Sequence, residues 1–307
     1  MPTSLMVPAP AKINLSLEIL GRRPDGYHEV STVLQTIELF DELSVELAAD
    51  LVLECTPPDL AGPENLVIRA AQELRRRFPD APGARLVLRK RIPVAAGLGG
   101  GSSDAAATLR ALARLWSLPV SAEELHAIAA NLGADVPFFF CGGTAWATGR
   151  GDVLEHLPSP PRQWVVLVPS AVSFPEKTRR LYAALDPADF RDGAATADLV
   201  RRLRAGLPPD PATFVNSFTA VARRIFPGLH ERIEHVETVT GGRVYLAGSG
   251  PTLFLVYPTA AAAHQASERL CAAGLTSIVT RTTEQPHCYR GTSKAKTSRV
   301  PASQSQN

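Results

Sequence analysis

Long apolar runs are missing from this sequence: no stretch approaches the roughly 20 consecutive apolar residues of a membrane helix. The opening MPTSLMVPAPAKIN has no basic segment leading into an apolar one. Neither a span nor a secretory leader is therefore expected, and the chain reads as cytoplasmic. Charge of one sign is missing too. Lys and Arg number 32 against 30 Asp and Glu, a net +2, so nothing global calls for nucleic acid or an anionic membrane, and any anion site must be local. Cysteine is scarce, and Cys55, Cys141, Cys271 and Cys288 are far apart without C-x-x-C spacing. That argues against a disulfide framework or a cysteine metal cluster and leaves four separate reduced thiols as the expectation.

What is present suits a globular protein. The 307 residues are 45% hydrophobic, enough for two cores, since single cores stop growing near this size. From Lys12 to Leu20, Ile13, Leu15, Leu17 and Ile19 alternate with Lys12, Asn14, Ser16 and Glu18, the pattern of a half-buried strand. Arg23-Pro24-Asp25-Gly26 is turn chemistry, and a second strand is expected near Thr32 to Leu39. Further strands fit 43–47, 51–55 and 84–90, with a helix from Asn65 to Phe78. Segment 121-SAEELHAIAANLG-133 opens on a Ser-x-x-Glu capping box and closes on glycine, so it is a helix.

The proline-rich 157-LPSPPR-162 divides the chain near residue 160: one domain over 1–160, a second over 161–289. Helices are expected near 175–185, 196–205, 213–225 and 260–273, with strands at 164–168, 243–247, 253–257 and 276–280. Strands and helices mix without a strict βαβ rhythm, which favours α+β. The stretch 290–307 is polar, basic and nearly free of apolar residues, a composition expected to be disordered.

The most informative stretch is 93-PVAAGLGGGSSDAAATL-109. Directly after Gly97-Leu98-Gly99-Gly100-Gly101-Ser102-Ser103, apolar residues recur at Ala105, Ala106, Leu109, Leu112, Ala113 and Trp116, a helical stripe. Strand, glycine loop and helix N-terminus in this order expose backbone N–H groups at the positive end of a helix dipole. Glycines let a phosphate approach those groups closely, and the serine hydroxyls add donors or a metal contact. No Lys-Ser or Lys-Thr follows the glycines, and residue 102 is serine, so this is neither a Walker A loop nor the dinucleotide fingerprint. A flexible hinge is the competing reading of the loop by itself.

These residues carry a resemblance. Pro-x-x-x-Gly-Leu-Gly-Gly-Gly-Ser-Ser-x-Ala-Ala resembles the phosphate loop of the GHMP kinases, the superfamily of galactokinase, homoserine kinase, mevalonate kinase and phosphomevalonate kinase. Segments 9-APAKINLSLEILGRRPDGYHEV-30 and 132-LGADVPFF-139 are similar to the branch acting on 4-diphosphocytidyl-2-C-methyl-D-erythritol, in the non-mevalonate route to isoprenoid precursors. A third glycine motif, 248-GSGPTLF-254, sits where that branch has its own. The resemblance runs from about Pro8 to Thr282. It implies a two-domain α+β fold: an N-terminal α/β two-layer ATP-binding domain, a C-terminal ferredoxin-like domain, and the active site in the cleft between them. It also implies ATP and Mg2+ as cofactors, a small-molecule substrate carrying a cytidine diphosphate group, and a monomer or homodimer.

Residue by residue, the resemblance places Lys12 beside the transferred phosphate and makes Asp135 the general base, with Lys12 keeping it ionised. Asp135 follows a helix and precedes Phe138, Phe139 and Phe140, an apolar wall that makes an unpaired carboxylate costly. Gly97 to Ser103 bind the ATP phosphates, with Ser102 or Ser103 as the metal contact. Asn65, Lys90 and Pro93 fall on the adenosine side. Asn14 lines the acceptor pocket, and Tyr27 and His28 are expected to stack on cytosine and hydrogen bond to it. Thr178 and Tyr182, one helical turn apart, form the second wall. Gly248, Ser249 and Gly250 are the third motif. Segment 216-NSFTAVA-222 departs from the family's acidic pattern at Ser217 and Thr219, so Asn216 is left out of the catalytic set. The competing readings are a kinase of the same fold for homoserine, mevalonate or another small alcohol, and a non-catalytic binding protein.

Overall fold

The computed structural model describes residues 4–170, 172, 174 and 176–283. The stretch 290–307 and Cys288 lie outside the described residues. Cys55 and Cys141 are buried and Cys271 is exposed, and none of the three is bridged.

In chain order the elements are strands β1 (Ser4–Arg22), β2 (His28–Ala48) and β3 (Leu51–Thr56), helix α1 (Leu66–Arg77), strand β4 (Gly83–Arg89) and helices α2 (Gly100–Leu115) and α3 (Ala122–Leu132). Then come strands β5 (Thr144–Thr148), β6 (Val153–Leu157) and β7 (Trp164–Val168), and helices α4 (Lys177–Ala183) and α5 (Ala194–Arg204). The chain continues with strand β8 (Val215–Asn216), helices α6 (Phe218–Ile225) and α7 (Leu229–Thr240), strands β9 (Tyr245–Leu246) and β10 (Leu253–Tyr257), helix α8 (Ala260–Ala272) and strand β11 (Ile278–Arg281).

A seven-stranded sheet runs β3-β4-β2-β1-β8, with β5 pairing β2 and β6 continuing from β5. Helices α1, α2 and α3 pack on one face of it around Val67, Leu74, Leu109, Leu112 and Phe138. A four-stranded antiparallel sheet runs β11-β7-β10-β9 and carries α4, α6, α7 and α8 on a second core around Leu181, Val221, Val236 and Leu270. A third apolar cluster joins the halves: Ala11, Ile13 and Leu15 of β1 meet Val165 and Leu167 of β7, Leu199 and Leu203 of α5, and Phe254 of β10. The sequence called for two cores, and this joining cluster is a third.

Several expected elements differ. The strands expected near 32–39 and at 43–47 are one continuous β2, because its pairing to β1 runs unbroken except at bulges from Arg22↔His28 to Ser4↔Glu46. The half-buried reading of β1 is also corrected. Lys12, Asn14, Ser16 and Glu18 are buried along with their apolar neighbours, since α5 covers part of that polar face. Thr196 Oγ1 donates to Ser16 Oγ at 3.0 Å, and the Thr196 backbone N–H donates to Glu18 Oε2 at 2.7 Å. The helix expected over 213–225 starts only at Phe218, because residues 215–216 are drawn into the large sheet beside β1. Strands β5 and β6 and helix α7 were not anticipated. Chain from the second half thus enters the first sheet, at β8 and at an isolated bridge between Ile37 and Thr282.

Candidate active site

The glycine loop is shaped by what surrounds it. A Cβ on Gly97 would lie 2.0 Å from the Ala247 carbonyl oxygen, so only bare backbone lets the loop touch the third glycine motif there. Gly99, at φ +73°, sits at the N-cap of α2, and a Cβ on it would strike the Phe139 ring at 2.8 Å and the Lys12 stem at 2.9 Å. No side chain caps this helix, so its first N–H groups are left for a ligand. They border a cleft of about 350 Å³ lined by Asn65, Lys90, Pro93, the loop from Gly97 to Ser102, and Asp104. Ser103, whose hydroxyl is buried without a partner, begins the next turn.

The three residues assigned to the adenosine side all line this cleft, but two are engaged. Asn65 caps α1: its Oδ1 accepts from the Val67 N–H at 2.9 Å and its Nδ2 donates to the Leu60 carbonyl at 2.8 Å. Lys90 is held beneath the loop, donating to Asp104 Oδ2 at 2.6 Å and to Asp41 Oδ2. Asp41 is fully buried and also accepts from the Ile92 N–H at 2.9 Å. Burial pushes the Asp104 carboxyl up, Lys90 pulls it down and Asp41 adds to the rise, for a value of about 7. Three charges therefore lock the start of α2 to β2 and the end of β4. A Cβ on Gly100 would come within 3.1 Å of Lys90 Nζ.

At the other end of the loop Lys12, Asn14 and Asp135 converge. The Lys12 N–H donates to the Leu98 carbonyl at 2.9 Å, tying β1 to the loop. Lys12 Nζ donates to Asn14 Oδ1 at 2.8 Å and lies 3.4 Å from Asp135 Oδ2. Asn14 is fixed in turn by donating to Thr32 Oγ1 at 2.8 Å. The expectation of an Asp135 carboxylate pressed on an apolar wall is corrected: its side chain is 38% exposed, while Phe138, Phe139 and Phe140 turn into the core. Asp135 is thus a partly exposed carboxylate with a buried ammonium beside it. The third glycine motif closes over the pair, a Cβ on Gly248 lying 3.2 Å from Lys12 Nζ and 3.3 Å from Asn14 Oδ1.

The residues expected at the acceptor end come from distant segments. His28 stacks on Tyr182 with ring centroids 4.8 Å apart and meets Phe190 edge-on, while Tyr182 rests edge-on against Phe218. Burial, with Arg22 nearby, lowers the His28 pKa, and its Nε2 is buried without a partner. Tyr27 is not part of this stack. Its ring is 56% exposed and lies under the Arg150 guanidinium at 4.9 Å. Burial and the Asp135 charge push the Tyr182 hydroxyl up to about 12. Thr178 faces the third motif instead, donating to Ser249 Oγ at 2.9 Å.

Four residues that serve the site were missed. Asp41 and Asp104 anchor the loop, and only Asp104 had a signal, its place directly after the serines. Asn216 donates to the Leu246 and Gly248 carbonyls at 2.9 and 2.8 Å, a positioning role that its family motif marked but its departures obscured. Lys177 reaches the third motif, with no sequence signal beyond standing next to Thr178. Among the described residues no group of three or more His, Cys, Asp or Glu could hold a metal ion.

The description "GHMP kinases N terminal domain" matches residues 65–143. The chain is 39% identical over 273 residues to 4-diphosphocytidyl-2-C-methyl-D-erythritol kinase of Brevibacillus brevis, covering 85% of this chain and 90% of that protein. It is 42% identical over 260 residues to the enzyme of the same name from Exiguobacterium sibiricum, covering 82% and 88%. A crystal structure of 4-(cytidine 5'-diphospho)-2C-methyl-D-erythritol kinase superposes with a TM-score of 0.75 at 36% identity, over 91% of this chain and 99% of that one. At this identity over most of both chains, the chain belongs to the 4-diphosphocytidyl-2-C-methyl-D-erythritol kinase family of the GHMP kinases.

Proposed function

We propose that the protein is an ATP-dependent kinase that phosphorylates the 2-hydroxyl of 4-diphosphocytidyl-2-C-methyl-D-erythritol, a step towards isoprenoid precursors. Its relatives carry this activity in their names over nearly their whole length, which favours the cytidylylated acceptor over homoserine or mevalonate. The observation that carries the reading is the Lys12–Asp135 pair, 3.4 Å apart, at the end of an uncapped helix N-terminus bordered by bare backbone.

The residues present fit a nucleotide phosphate tail. Gly97 and Gly99 pack against Ala247, the Phe139 ring and the Lys12 stem in contacts that a Cβ would block, the N-terminus of α2 has no side-chain cap, and Ser103 offers an orphaned buried hydroxyl. When bound, ATP supplies the phosphoryl group and Mg2+ neutralises its charge, with the Ser102 or Ser103 hydroxyl as the protein's contact to the metal. The N–H groups of Gly100, Gly101 and Ser102 bind phosphate oxygens. Lys12, held by Asn14, stabilises charge on the group in transfer. Asp135, beside the Lys12 ammonium, accepts the proton of the attacking hydroxyl. His28 and Tyr182 form the wall for the cytosine ring, which packs beside the stacked pair. The His28 Nε2, unpartnered in this structure, is the polar atom available to the base.

We further assign residues 1–160 and 161–289 to the two domains, with the short β8 exchanged across that boundary, and the protein to the cytoplasm. Among the described residues no helix is long and apolar enough to cross a membrane. Incubating the pure protein with ATP, Mg2+ and a panel of alcohols tests the function. Phosphate transfer to the cytidylylated methylerythritol and not to homoserine or mevalonate is expected. Transfer to another alcohol alone would move the protein to a sister branch of the superfamily.

A further inference from the structure

Lys177 opens α4 and points at the third glycine motif. Its Nζ donates to Ser249 Oγ at 3.1 Å and to the Gly250 carbonyl, and Thr178 donates to the same Ser249 oxygen. That motif is the piece closed over Lys12 Nζ at Gly248 and over the phosphate loop at Gly250, whose N–H lies 2.9 Å from where a Gly97 Cβ would stand. The residue before Lys177, Glu176, has a left-handed backbone at φ +48°, a strained state for a non-glycine residue that recurs at functional sites. Its carboxylate is turned to Arg179.

Among the described residues Lys177 has no ion-pair partner, and the charged group that acts on it is another cation, Lys12. Burial first and Lys12 second pull its pKa down to about 8. The carboxylate beside Lys12, Asp135, is already paired with it. An ammonium has three donors, and two are engaged. A half-buried cation placed beside another cation is costly until an anion joins them.

We propose that Lys177 is a second cation of the phosphoryl-transfer centre, its free donor contacting a non-bridging oxygen of the group in transfer. This rests on the kinase reading above. The source of that oxygen is the terminal phosphate of ATP, because the motif that carries Lys177's contacts packs against the phosphate loop and Lys12, whereas the cytosine wall begins a helical turn further on, at Tyr182.

Lys177→Met and Lys177→Arg test this, with kinetics in each substrate separately and calorimetric binding of ADP, a non-hydrolysable ATP analogue and CDP. In the Met variant kcat should fall about ten- to a hundredfold, the effect of losing one charge-assisted hydrogen bond. The ATP analogue should bind more weakly, while ADP and CDP bind as before. The wild-type kcat/KM for ATP should decline as pH rises through about 8, since the free enzyme loses the Lys177 proton there. The Arg variant should lack that limb and regain part of the rate, because guanidinium stays charged. An unchanged kcat overturns the proposal. So does a defect confined to the acceptor's KM and to CDP, which would give the ammonium to the acceptor's diphosphate. If the Met variant fails to fold, an alkaline limb that persists unaltered in the Arg variant overturns it. A wild-type protein that phosphorylates no acceptor would sink the kinase reading, yet the analogue-versus-ADP comparison would still report on Lys177.

Discussion

The two ends of the cleft are built in opposite ways. The nucleotide end is a contiguous loop and the helix it opens, backed by a buried ion triad of Lys90, Asp41 and Asp104 and by glycines pressed against neighbouring backbone. Its shape is set before any ligand arrives. The proposed acceptor end is a meeting of segments: His28 from the start of β2, Tyr182 from α4, Phe190 from the chain after it and Phe218 from α6. It rests on ring contacts, which reorganise at little cost. The difference predicts that damage at the nucleotide end will register as lost stability and lost ATP affinity together. Damage at the acceptor end should register in acceptor kinetics with the fold intact.

The largest effect is expected between the two ends. Asp135→Asn should lower turnover about a hundredfold or more, the scale of a general base, and leave ATP binding unchanged, since the loop is untouched. Near-normal turnover would remove Asp135 from the chemistry. At the acceptor end, His28→Ala should weaken the cytidylylated substrate about five- to a hundredfold, as stacking is worth about 1 to 3 kcal/mol per base, with the KM for ATP unaltered. A defect confined to ATP would falsify the cytosine assignment. Tyr27→Ala should do less, because its exposed ring pairs with Arg150 and not with His28. An effect equal to that of His28→Ala would mean that the loop closes over the base.

Gly97→Ala tests the other side of the comparison. Residue 97 has φ +83°, and a Cβ there meets a carbonyl oxygen at 2.0 Å, so about 1 to 3 kcal/mol of backbone strain comes in addition to the clash. Both the melting temperature and ATP affinity should drop, whereas a change in one alone would separate rigidity from binding. The smallest effect concerns Asp104, whose folded-state pKa of about 7 lies above its ordinary value of 3.8. A raised carboxyl pKa means that the folded state holds the proton more tightly, so this group's stabilisation is present at low pH and is lost as pH rises from about 4 through 7. Asp104→Asn keeps the Lys90–Asp41 pair and should flatten the decline of melting temperature over that window. An unchanged slope would show that another group sets it.

The same contrast governs how much the sequence revealed. The phosphate loop was legible because its residues are consecutive and act through backbone, and Lys12 and Asn14 because a strand's alternation puts them on one face. The capping box at Ser121 and Glu124 forms as its spacing implied. The pairing of His28 with Tyr182 in place of Tyr27 was not legible. Neighbouring side chains on an extended chain point to opposite sides, and which of them meets α4 depends on how the second half packs.

By itself, then, the sequence determined the local chemistry: a glycine loop opening a helix, a lysine and an asparagine on one strand face, and an aspartate after a capped helix. Only the tertiary structure decided which charges are spent on the scaffold and which are left for substrate. Lys90 and Lys12 look alike as isolated residues, yet Lys90 lies between two buried carboxylates while Lys12 faces one that is partly exposed. The reason is that an ionised group's role depends on which opposite charges fold to within a few ångströms of it and how much water remains, and both are set by contacts between residues far apart in the chain.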